Sequence, residues 1–179
     1  ILKHYWGYEG FRPGQEEVIR SVLSGADTLA LMPTGGGKSI TFQVPALARP
    51  GICLVISPLV ALMKDQVSHL LRRGIRAAFI SSEMPRSEIL QQLENCILGD
   101  YKFLYISPER ISSDLFQGKL TALKQKVNLL VVDEAHCISQ WGNDFRRDYR
   151  LIADIRDVIP EVPVIAVTAS ATAAVVADI

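Results

Sequence analysis

The chain has no net charge to spare: its Lys and Arg total 19 and its Asp and Glu total 19 over 179 residues. A global positive field is therefore missing, and any polyanion has to be held by a local groove rather than by bulk attraction. No apolar run approaches the ~20 residues that a bilayer crossing requires, so no membrane partner is expected. Cysteine is scarce, with Cys53, Cys96 and Cys137 alone in apolar surroundings and no C-x-x-C pair. That usage reads as buried free thiols in a reducing compartment and argues against a zinc site. Internal repeats, low-complexity tracts and linkers are also absent, as is the Asn-Lys-x-Asp signature of guanine-specific proteins. The start, Ile1-Leu2-Lys3-His4, has neither an initiating Met nor a signal-peptide layout. The expectation is a trimmed piece of a longer intracellular protein. A hydrophobic share of 49% with 21% charged residues suits a single globular domain over 1–179, expected to be monomeric.

What is present is concentrated in Met32-Pro33-Thr34-Gly35-Gly36-Gly37-Lys38-Ser39. An apolar run ending at Leu31 reads as a buried strand, and Ile40 to Leu47 reads as the start of a helix. Strand, glycine-rich turn and Lys-Ser at a helix start form a phosphate-binding P-loop. Glycines let the backbone wrap a polyphosphate and turn N–H groups toward it, and the helix dipole favours the same anion. Lys38 is suited to the β- and γ-phosphates, and the Ser39 hydroxyl to Mg²⁺. Met32 replaces the first glycine of the usual pattern. The reading is a nucleoside triphosphate site.

Six apolar, β-rich runs recur along the chain: Thr28–Met32, Ile52–Ile56, Ala77–Ile80, Phe103–Ile106, Leu129–Val132 and Val164–Val167. Several are continuous rather than alternating, as befits strands buried on both faces of a parallel sheet. Helical patterns intervene, among them Leu59–Arg73 before Gly74 and Arg86–Leu98 before Gly99. The alternation predicts a three-layer α/β fold with a mostly parallel central sheet, whose ligands lie beyond the carboxyl ends of the strands.

Leu129–Val132 runs straight into Asp133-Glu134-Ala135-His136. Asp133 is suited to hold Mg²⁺ and Glu134 to orient and deprotonate an attacking water, which together indicate hydrolysis. By itself the pair is also compatible with an acidic turn at a strand end. His136 can hydrogen-bond to another part of the catalytic machinery. In Phe11-Arg12-Pro13-Gly14-Gln15, the Gln15 amide offers one donor and one acceptor, matching the N6/N7 edge of adenine, and Tyr8 or Arg12 can stack on the ring. Pro13 at a helix start is equally ordinary capping.

These motifs together resemble the first motor domain of the RecQ-family DNA helicases, within the DExH superfamily. The resemblance covers essentially the whole chain and includes Ser57-Pro58-Leu59, Leu62-Met63-Lys64-Asp65-Gln66, Tyr105-Ile106-Ser107-Pro108-Glu109-Arg110, Asp133 to Gly142 and Thr168-Ala169. It implies a RecA-like P-loop fold and an ATP- and Mg²⁺-dependent motor that moves 3′ to 5′ on single-stranded DNA, separates duplexes and serves recombination and repair. It also implies a second motor domain bearing an arginine finger, so that 1–179 alone would be nearly inactive. The site of action would be a bacterial nucleoid or a eukaryotic nucleus. Asn143 and Arg147 depart from the family's H-D-F-R-P pattern, and Ser170 replaces a frequent Thr while keeping its hydroxyl. A P-loop ATPase that remodels protein without touching DNA is the rival reading, and a non-catalytic nucleotide-dependent scaffold is another.

For DNA, Ser57-Pro58 and Ser107-Pro108 share one expected device: a strand ends in Ser, Pro opens a helix, and the first free N–H groups point at phosphate. Lys64 and Arg110 would add charge. Trp141, Phe145 and Arg146 lie in an aromatic- and arginine-rich segment, and aromatic faces stack bases at about 1–3 kcal/mol each. Thr168 completes the expected DNA set. His4 and His69 receive no role.

Overall fold

A computed structural model describes residues 1–139 and 146–179. Its six strands are β1 (Thr28–Leu31), β2 (Ile52–Ile56), β3 (Ala77–Ile80), β4 (Phe103–Ile106), β5 (Val127–Asp133) and β6 (Val164–Thr168). All pair in parallel, in the order β1-β6-β5-β2-β4-β3. The apolar runs named above mark every one of them; β5 begins two residues earlier than expected and carries Asp133 as its last residue.

Among the described residues the helices are α1 (Leu2–Trp6), α2 (Gln15–Leu23), α3 (Lys38–Leu47), α4 (Val60–Arg72), α5 (Arg86–Leu98), α6 (Asp114–Leu123), α7 (Ile152–Val158) and α8 (Ala173–Asp178). Strand side chains alternate between two cores. Cys53, Val55, Phe103 and Tyr105 pack with Val22 of α2, Phe42 of α3 and Met63, Val67 and Leu70 of α4. Leu54, Ile56, Leu104 and Ile106 face the other way, against Ile89, Leu93 and Cys96 of α5 and Phe116 of α6. In α4 and α5 these buried positions recur every three or four residues, so the pattern that builds the helix also docks it. A fully buried Leu or Ile at such a site contributes about 1.5–3 kcal/mol. The result is a three-layer RecA-like α/β domain.

The three cysteines are free and buried. Burial pushes the Cys53 thiol well above its ordinary value and Cys96 up to about 12, so neither ionises near neutrality. Among the described residues, no helix is long and apolar enough to cross a membrane.

Candidate active site

The loop between β1 and α3 is shaped by its glycines. Met32 donates to the Thr168 carbonyl at 3.0 Å, extending the β1–β6 pairing by one residue, and a turn closes from the Gly36 N–H to the Pro33 carbonyl at 2.9 Å. Gly35 and Gly37 have φ of +77° and +78°, where a side chain is strained. A Cβ on Gly36 would lie 2.9 Å from the Pro33 oxygen, and one on Gly37 would strike the Gln15 amide. Gly37 caps α3, so the backbone N–H groups of Lys38 and Ser39 in its first turn have no intrahelical acceptor.

Successive loop carbonyls are held from behind. The Arg12 guanidinium donates to Gly35 O at 2.7 Å, and Gln15 Nε2 donates to Gly37 O at 3.0 Å and Gly36 O at 3.4 Å. Gln15 Oε1 accepts from the Arg12 N–H at 2.8 Å. Gln15, expected to read adenine, is thus buried with its amide nitrogen bonded to the loop, while it still lines the larger cavity beside Arg12. Nothing local in the sequence announces that partner, which lies more than twenty residues away.

Asp133 ends β5, two strands from β1 with β6 between them. Its Oδ2 accepts from the Ser57 hydroxyl and its Oδ1 from the Glu134 N–H, both at 3.0 Å. Burial pushes this carboxyl above its ordinary value. Ser57 opposes that push, the Glu134 charge adds to it, and the Glu134 N–H and the Lys38 ammonium oppose it. The buried Tyr149 hydroxyl donates to the Asp133 carbonyl at 2.7 Å. Glu134 adopts a left-handed φ of 49°, alone among the non-glycine residues described, a conformation costing about 1–3 kcal/mol and held only by its surroundings. Its Oε2 lies 3.3 Å from His136 Nδ1, which also sits 2.8 Å from the Thr168 hydroxyl.

Lys38 and the Asp133–Glu134 pair line one cavity of about 360 Å³, with Thr34, Ser39 and Ser57. A second, of about 630 Å³, is lined by Tyr8, Arg12 and Gln15 on one side and by Gln66 and His69 on the other. The two meet at Gly37, Ser39 and Gln66. Among the described residues no cluster of three or more His, Cys, Asp or Glu could hold a metal by itself. A Mg²⁺ ion carried by phosphates needs only one or two protein oxygens, and Ser39 and Asp133 supply them in the phosphate-sized cavity; the donor set fits.

The residues expected to hold DNA fare unevenly. Pro58 does not open α4, which is capped by Leu59, and Pro108 opens a single 3-10 turn, Pro108–Arg110, rather than an α-helix. The Ser57 hydroxyl is committed to Asp133, and that of Ser107 is buried with no partner among the described residues. Thr168 is fully buried and engaged by His136, so it faces the acidic corner of the cavity instead of a surface. Lys64 is exposed and pairs with Glu83 at 3.4 Å, while Arg110 donates to the Ser81 and Ser82 carbonyls at 2.9 Å. The Arg146 N–H donates to Cys137 O at 2.9 Å, and Arg147 opens the 3-10 turn Arg147–Leu151. Trp141, Asn143 and Phe145 lie outside the described residues. Tyr149 was not anticipated; as a polar aromatic it gave no sequence signal of its buried hydroxyl.

The sequence model of the DEAD/DEAH box helicases matches residues 12–179. The chain belongs to that family. This helicase domain is 50% identical over 181 residues to the ATP-dependent DNA helicase RecQ of Bacillus subtilis, covering all of this chain and 30% of that one. It is 45% identical over 179 residues to the ATP-dependent DNA helicase RecQ of Haemophilus influenzae, again covering the whole chain and 29% of the relative. The helicase domain thus spans under a third of the length of these relatives. Among solved structures, the helicase domain of Pyrococcus furiosus Hef superposes with a TM-score of 0.71 over 93% of this chain and 35% of that one, at 23% identity, which establishes the shared fold.

Proposed function

We propose that residues 1–179 are the ATP-binding motor lobe of an ATP- and Mg²⁺-dependent 3′-to-5′ DNA helicase acting on single-stranded and duplex DNA in recombination and repair. The observation that carries the reading is the single cavity shared by Lys38, Ser39, Asp133 and Glu134. Lys38 and the free N–H groups at the start of α3 neutralise the β- and γ-phosphates. Bound Mg²⁺ supplies charge neutralisation at the transferring phosphoryl group, held by Ser39 and Asp133. Glu134 orients the attacking water and accepts its proton, and His136 passes the state of that carboxylate to β6 through Thr168. Pro58, Lys64 and Arg110, beyond the carboxyl ends of the strands, face DNA, whereas Ser57 and Ser107 are enclosed and act only by shaping their corners. Trp141, Phe145 and Arg146 add base stacking and charge. A second motor lobe supplies the arginine finger, worth about 10³–10⁵ in rate, so this lobe alone binds ATP weakly and turns over slowly.

The test uses the full-length protein. Glu134→Gln should abolish turnover while sparing ATP binding. In fluorescence anisotropy with labelled single strands, Trp141→Ala with Phe145→Ala should weaken binding. Wild-type protein that hydrolyses ATP with no DNA affinity would favour a protein-remodelling ATPase instead, and brisk DNA-stimulated turnover by residues 1–179 alone would refute the two-lobe arrangement.

A further inference from the structure

Three polar side chains sit together inside the core between α3, α4 and β4. Gln43, on the helix that begins at the P-loop, is 3% exposed and Tyr105 is 2% exposed. Gln43 Nε2 donates to Gln66 Oε1 at 3.0 Å and to the Tyr105 hydroxyl at 3.3 Å. A carboxamide nitrogen has two hydrogens, so both are spent. Gln66 is thereby oriented: its oxygen turns toward α3, and its own Nε2 keeps two hydrogens with no acceptor among the described residues. That side chain borders both cavities, at the seam where they meet beside Gly37 and Ser39. With base on the Tyr8 and Arg12 side and β- and γ-phosphates beside Lys38, the seam is where the ribose and α-phosphate of a triphosphate would lie.

We propose that Gln66 is a nucleotide-contacting residue, its fixed carboxamide donating to an oxygen at the ribose–α-phosphate junction. The inference rests on the nucleotide reading given above. Its placement has a consequence for coupling. Lys64 is two residues away on the same helix and exposed, and β4 leads from Tyr105 to Ser107. Occupancy of the seam is thus felt by α3, α4 and β4 through one hydrogen-bonded group.

The experiment measures equilibrium binding of a fluorescent ATP analogue to the full-length protein, with KM and kcat for ATP alongside. Gln66→Met keeps the shape and loses both the donor and the oxygen that accepts from Gln43. Gln66→Glu keeps an oxygen for Gln43 and loses the donor. Both should weaken nucleotide binding and raise KM about tenfold, the effect of one hydrogen bond to a charged or polar oxygen, with kcat reduced less than about threefold. Melting without nucleotide should stay within about 2 °C in Gln66→Glu and fall by about 2–4 °C in Gln66→Met, which leaves one buried Gln43 hydrogen unpaired. Unchanged affinity in Gln66→Met overturns the proposal even if Gln66→Glu binds worse, because the added charge alone then explains the loss. Lys38→Ala separates the two levels: if it abolishes binding while both Gln66 variants bind normally, only the inference on Gln66 falls. If Lys38→Ala also binds normally, the nucleotide site itself is misplaced.

Discussion

Ser57-Pro58 and Ser107-Pro108 are the same two letters at the ends of two adjacent strands, yet they do different things. Ser57 leaves β2, which lies beside β5, and its hydroxyl reaches the Asp133 carboxylate at 3.0 Å. Ser107 leaves β4, one strand further out, and its buried hydroxyl has no partner among the described residues. Pro58 precedes the α4 cap residue, whereas Pro108 opens a 3-10 turn. A dipeptide dictates that the chain bends at a strand end. Which neighbour it meets there is decided by strand order, and the chemistry follows the neighbour.

The comparison can be sharpened by removing groups in turn. Asp133→Ala should have the largest effect, lowering ATP turnover of the full-length protein by about 10³-fold in steady-state assays, because the proposed Mg²⁺ site would lose its carboxylate. Ser57→Ala should lower kcat/KM about tenfold and raise the Mg²⁺ concentration needed, by stripping a hydrogen bond from a buried carboxylate. It should also move the pH profile. In the proposed metal-holding role Asp133 works ionised, and burial already holds its pKa up, so activity should fall as pH drops through that raised value. Ser57 opposes the rise, and its loss shifts the acid limb to higher pH; an unmoved limb would detach Ser57 from Asp133. For folding the sign is reversed. A raised carboxyl favours the native state below the unfolded pKa, and that contribution disappears as pH climbs through the folded value, so nucleotide-free protein loses stability across that interval. Ser107→Ala should do least to catalysis, leaving turnover within about twofold. It deletes an unpaired buried hydroxyl, so melting should rise by about 2–4 °C. A turnover loss equal to that of Ser57→Ala would erase the distinction between the two corners.

The strands were readable because parallel strands buried on both faces must be written as unbroken apolar runs, and each run here maps onto one strand. The P-loop and the acidic pair were readable because their chemistry is compressed into short segments. Long-range polar pairing was not. Gln15 gave no hint that its amide nitrogen bonds loop carbonyls some twenty residues on. Thr168 looked like a surface contact and is enclosed beside His136. Gln43 did leave a trace: a carboxamide within the apolar stretch Ile40–Leu47 is a group that burial obliges to find partners. The partners themselves, Gln66 and Tyr105, depend on how α3, α4 and β4 stack.

Because β6 is inserted between β1 and β5, the lysine and the two acids of the cleft are never bonded to each other's strand. The width of the cleft is the width of one intervening ribbon. Thr168, where the chain leaves that ribbon, is held through its carbonyl by Met32 on one flank and through its hydroxyl by His136 on the other, so a tug on it works like a shim slid between two jaws. Gap and grip are then tied together at one buried threonine.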